Sequence, residues 1–240
     1  MERELFDNNK IIEALCQFTF KPAQDNTIYG QYYDLLKAAG VYTEKENVVA
    51  MNFTVAGGEQ GITPTLVNAM KYTNSGKDKI IQLHSNNISI HQVKKYQKWE
   101  LFKTDIDSAF LNFTKVSTGT IIERIDLRAI NSFEFTLDNF DLSKYFNVHT
   151  SYPKQISNPT TNITLEFPLA KQNSFVVLRL KCSPKEKQLS VVLDLSFVRL
   201  EANIKSDDTS GIDEVLQYGH AEMYKLFTSV ITDETKKLIK

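Results

Sequence analysis

At 240 residues, with 42% hydrophobic and 24% charged residues and only nine Gly and six Pro, the chain has the composition of a folded globular protein rather than a disordered or fibrous one. Its 28 basic and 29 acidic residues leave a formal charge of -1, which argues against a dedicated nucleic-acid binder while permitting a local basic patch. The charged start, Met1 to Asp7, and the lack of an apolar run of membrane-spanning length predict neither signal peptide nor transmembrane helix, so the expected location is the cytosol.

Ile12, Ala14, Cys16, Phe18 and Phe20 alternate with polar residues and predict a half-buried strand over 11–20. Asp25, Asn26 and Thr27 offer caps for a helix carrying Ile28, Tyr32, Leu35, Leu36 and Ala39, which Gly40 stops. Val48 to Val55 and Leu66 to Tyr72 read as extended, separated by the glycine-rich loop Gly57 to Gly61. Lys79 to Val93 predicts a hairpin turning on Asn86-Asn87. Trp99, Phe102, Ile106, Ala109, Phe110 and Phe113 then recur at helical spacing within 96–116.

The second half opens on a long alternating strand, Ile121 to Phe135. One face carries Ile121, Ile125, Leu127, Ala129, Phe133 and Phe135, the other Arg124, Asp126, Arg128, Ser132 and Glu134. A short helix over 140–146 and a polar, proline-containing loop over 148–161 follow, then strands over 162–167, 175–182 and 189–201. The chain closes on an amphipathic helix from Gly211 to Lys240, whose stripe is Ile212, Val215, Leu216, Gly219, Met223, Leu226, Phe227 and Val230.

These elements predict an α+β fold: a curved, mainly antiparallel sheet with helices on one face. Strand, helix, strands, helix occurs twice, so the expectation is one domain, 1–240, built as two pseudo-repeats of about 11–118 and 119–240. The order of elements is similar to that of the TATA-binding protein saddle, a likeness of fold that carries no function by itself.

Among residues that could carry chemistry, Arg124, Asp126, Arg128 and Glu134 share one strand face, where Arg forks suit carboxylate or phosphate ligands; the plain alternative is a solvated face with cross-strand ion pairs. His84 and His91 flank the hairpin turn. With Asn86-Asn87 central, His84 faces Ser89 and Gln82 faces His91, a diagonal of roughly 7 Å between imidazoles. No further ligand in the hairpin completes a metal site, so no metal is expected, and the plain reading is two solvent-facing histidines. His149 lies in the polar loop without a specific role. Lys94 to Lys103 interleaves bases with aromatics, but Trp99 and Phe102 also fit a buried helical stripe. Cys16 and Cys182, each in an apolar segment, read as buried reduced thiols. No phosphate-loop, nucleophile-elbow or zinc-protease motif occurs, so no cofactor is expected and a binding role is favoured over an enzyme.

Three blocks in order resemble a family of proteins distributed sporadically among bacteria and archaea for which no activity is established: Ile11-Ile12-Glu13-Ala14-Leu15-Cys16-Gln17-Phe18, the run Ile122 to Asn131, and His220 through Phe227 with Ile231-Thr232-Asp233-Glu234. The middle block departs from the family form at Asp126 and Ala129, where Gly and Tyr are expected. The resemblance implies one full-length evolutionary unit and no catalytic residue. Sporadic distribution resembles that of exchanged defence and toxin-control cassettes. The expected function is a non-enzymatic cytosolic binding protein engaging a macromolecular partner, a protein first, as an accessory of such a system. The alternatives are a saddle-like nucleic-acid binder and a small-ligand sensor.

Overall fold

A computed structural model describes residues 10–55, 62–94, 96–117, 119–137, 140–148, 162–171 and 173–239, with backbone alone for 49–55 and 62–68. The loop Gly57 to Gly61, His149 and most of the polar loop over 148–161 lie outside the described residues. β1 (Ile11–Lys21) is followed by α1 (Thr27–Ala38), β2 (Glu44–Val55), β3 (Ile62–Thr73), β4 (Lys79–His84), β5 (Asn87–Val93) and α2 (Trp99–Val116). The second half runs β6 (Ile121–Thr136), α3 (Leu142–Tyr145), β7 (Asn162–Pro168), β8 (Ser174–Lys185), β9 (Gln188–Arg199), β10 (Ile204–Lys205), α4 (Thr209–Val230) and α5 (Asp233–Ile239).

The strands form one open antiparallel sheet in the order β2-β3-β4-β5-β1-β6-β9-β8-β7, with β10 alongside β6. In each half the chain leaves its first strand, crosses a helix, reaches the edge of the sheet and winds back until the last long strand pairs with the first. The two first strands, β1 and β6, meet at the centre. The fold is therefore α+β, and its halves share one winding.

Alternation decides which face is covered. Ala14, Cys16, Phe18 and Phe20 of β1, Ile81 and Leu83 of β4, Ile88 and Ile90 of β5 and Leu193, Leu195 and Phe197 of β9 are all buried in one continuous core with the helices. Phe18 packs on Phe110 and Phe20 on Phe113 of α2, Tyr32 of α1 meets Tyr72 of β3, and Phe197 meets Tyr218 of α4. Trp99 and Phe102 belong to this core, with Trp99 stacked on His220 of α4. Cys16 is buried and Cys182 partly so, both unpaired thiols.

Two bulges adjust the alternation. Ile11 pairs with Asn131 and Glu13 with Ile130, so Ile12 is the extra residue and stands 49% exposed, against the expectation that it shares the core face. On β6, Thr19 pairs with Arg124 and Phe20 with Ile122, so Glu123 is extra and Ile122 takes the core position expected of Ile121. Glu123, put outside, pairs with Lys21.

The hairpin differs from the sequence expectation by two residues. Gln82 pairs with Ser89 and Ile80 with His91, so the turn is Ser85-Asn86 rather than Asn86-Asn87. The carbonyls of both turn residues accept hydrogen bonds from the end of β1 and its following loop, Asn86 from the Phe20 amide and Ser85 from the Gln24 amide, which anchors this register.

The C-terminal helix is also interrupted. Ile231 is extended and bridges Phe146, while Thr232 donates its amide to Tyr145 O and offers Oγ1 to the Thr235 amide. Thr232 thus caps a second helix whose first turn carries Asp233 and Glu234, as the helix dipole favours. The Ile-Thr-Asp-Glu block is a break and cap that docks the chain end on α3.

Gly219 lies where α4 crosses β9. A Cβ there would stand 2.4 Å from a ring carbon of Phe197, whose side chain is fully buried. The strain of overpacking, about 1–3 kcal/mol, exceeds the roughly 1 kcal/mol that Ala gains over Gly in helix propensity. Gly219→Ala is therefore expected to lower the melting temperature; a rise would mean that α4 does not approach β9 this closely.

Candidate functional site

The described helices pack into one core against one face of the sheet, and the opposite face presents the alternate residues of β1, β6, β9 and β8. Opposite one another stand Thr19 and Arg124, Gln17 and Asp126, and Leu15 and Arg128. Across β6, Val198 faces Asp126 and Ser196 faces Arg128, and across β9, Arg179 faces Asp194. The floor holds two buried carboxylates, Asp126 at 9% and Asp194 at 6% exposure.

Each carboxylate takes a bidentate guanidinium. Arg124 donates Nε and Nη2 to Asp126 at 2.7 Å each, along one strand. Arg128 reaches diagonally across to Asp194, with Nε at 2.8 Å and Nη2 at 2.7 Å. Arg179 adds a longer contact to Asp194 at 3.6 Å and donates to Ser196 Oγ at 3.3 Å. All three guanidinium side chains remain close to half exposed. They surround a shallow depression of about 410 Å³ whose walls include Leu15 and Gln17.

Arg124, Asp126 and Arg128 are thus brought together as their shared face predicts. Glu134 is not: it faces Ser190, six residues beyond Arg128, or about 20 Å along the strand. Arg179, Asp194 and Ser196 were missing from the candidates. The signal for Asp194 was a single acid opposite an unbroken apolar row, Leu189 to Phe197, whereas Arg179 carried none beyond its place in an alternating strand.

Beside the depression, His91 accepts or donates through both ring nitrogens: Nδ1 lies 2.8 Å from Glu13 Oε1 and Nε2 lies 2.9 Å from Ser89 Oγ. The hydrogen bond from His91 holds the Glu13 carboxyl below the usual range, burial opposes this, and the charges of His91 and Arg128 reinforce it. The atoms match a carboxylate–imidazole–hydroxyl relay. Ser89, however, is only 4% exposed and sits in an interior strand paired on both sides, so its neighbouring amides are committed to the ladder rather than aimed at an oxyanion. What the relay does is fix Glu13 beside Arg128.

The hairpin register separates His84 from His91. They lie at opposite ends of β5 pairing, about 13 Å apart along the strand, instead of on a close diagonal. Both nitrogens of His91 are engaged, burial lowers the His84 pKa, and among the described residues no group of three or more His, Cys, Asp or Glu side chains could hold a metal ion. The two histidines are therefore not solvent-facing partners in one site but separate, half-buried members of the sheet face.

No protein-family model matches the chain, and no curated protein matches it.

Because the folded-state pKa of Glu13 is depressed, its contribution to stability is present above the unfolded value of about 4.3 and is lost as pH falls through the folded one. Glu13→Gln is expected to melt below the parent at pH 7, with the two melting temperatures converging towards pH 3. A gap that persists at pH 3 would show that the carboxylate charge is not what His91 and Arg128 stabilise.

Proposed function

We propose that this chain is a cytosolic binding protein that engages a macromolecular partner, a protein, through the face of its sheet opposite the helices. The observation that carries this reading is the division of the two faces among the described residues: the helices and the aromatic core gather on one, while the other holds the arginine-rimmed depression. A binding surface needs side chains held in place before the partner arrives, and the buried carboxylates do this for Arg124 and Arg128. No helix among the described residues is long and apolar enough to cross a membrane, which accords with a partner met in solution. The three ordered sequence blocks support membership of the sporadically distributed family, and with it a place as an accessory in a defence or toxin-control cassette.

A nucleic-acid partner is the less favoured reading. Polyanion binding rests on phosphate neutralisation by uncommitted cations, whereas here Asp126 and Asp194 lie under the arginines and Glu13, Glu134 and Glu166 interrupt the same face.

Co-expression with its gene neighbours and gel filtration tests the reading. A neighbour is expected to co-elute with the parent protein and with Leu111→Glu, a change on the exposed side of α2. It should separate from Gln17→Trp, which fills the depression. Loss of the complex in Leu111→Glu with retention in Gln17→Trp would put the partner on the helical side.

A further inference from the structure

The charge and donor count of the depression narrows the partner's chemistry. Three guanidiniums, Arg124, Arg128 and Arg179, stand over the two carboxylates Asp126 and Asp194, with the Glu13 carboxylate beside Arg128 at the rim. The bidentate contacts use Nε and Nη2 of Arg124 and Arg128, so the Nη1 group of each has no partner among the described residues. Because each guanidinium is planar and pinned along one edge, its remaining N–H groups are fixed in direction and suit a planar acceptor. Leu15 supplies an apolar wall beside them, and the opening is of the size that takes a few side chains rather than a folded element.

Resting on the reading of the open face as the docking surface, we propose that this depression binds carboxylates of an acidic peptide segment on the partner protein. The two oxygens of a carboxylate match the N–H pairs that the pinned guanidiniums present, and glutamate methylenes match the Leu15 wall. A phosphate, carrying up to two charges at pH 7, would bring excess negative charge next to two buried carboxylates.

Fluorescence anisotropy of labelled hexaglutamate with the full chain at low salt tests this. Saturable binding is expected, weakened by added salt and by roughly tenfold in Arg179→Gln, the scale of one charge-assisted hydrogen bond. Arg179 is the informative position because Asp194 keeps both bonds to Arg128 when it is replaced, whereas replacing Arg124 leaves buried Asp126 without its partner. Lack of saturable binding would overturn the proposal, as would affinity in Arg179→Gln within about twofold of the parent, or tighter binding of labelled oligothymidylate than of the peptide. If Gln17→Trp releases the natural partner while hexaglutamate fails to bind the parent protein, the carboxylate assignment falls and the docking face stands.

Discussion

The antiparallel pairing of β1 with β6 is the constraint on which the rest depends. Both strands are flanked on each side by others, so every side chain on them points either to the helices or to the open face. In the stretch where Ala14, Cys16 and Phe18 stand opposite Ala129, Leu127 and Ile125, the covered face is apolar and the open face carries Leu15, Gln17, Arg124, Asp126 and Arg128. A slip of one residue would carry Arg124 and Arg128 into the core and Phe18 into water. The two bulges sit at the ends of this stretch and reset the alternation there, which puts Ile122 inside and Glu123 outside.

Electrostatics on the open face follows from this placement. Asp126 and Asp194 are too buried to be left as bare charges, and removing one partner of such a pair leaves an uncompensated ion. Arg124 and Arg128 are therefore held by a requirement of the sheet itself. That differs from pairs such as Lys171 with Glu214, between exposed groups, whose contribution is small. A side chain held in place for stability is also held in place for recognition, and this links the fold to the proposed docking face.

Much of the fold was legible because alternation and helical spacing are local. The odd positions from Ile125 to Phe135, the stripe of α2 and the alternation from Ala14 to Phe20 of β1 mapped onto strands and helices with little change. Non-local features were not legible. Asn86-Asn87 was a reasonable turn by backbone preference, but hydrogen bonds from Phe20 and Gln24, far away in sequence, selected Ser85-Asn86. Nothing in the apolar stripe announced the break at Ile231, which follows from its bridge to Phe146. Of the site, the arginines and Asp126 were visible on one strand, while Asp194, Arg179 and the Glu13–His91 contact required the register of three further strands. Ile12 was misplaced because a bulge has no signature in composition.

Arg124, Arg128 and Arg179 share one face of the sheet, and the proposed docking would cover all three together. Modification by phenylglyoxal, read by mass spectrometry with and without the co-eluting partner, measures this directly. All three arginines are expected to react in the free protein, in keeping with their half-exposed side chains, and to be protected together in the complex. Unreactive arginines in the free protein, or reactivity unchanged by the partner, would contradict the account.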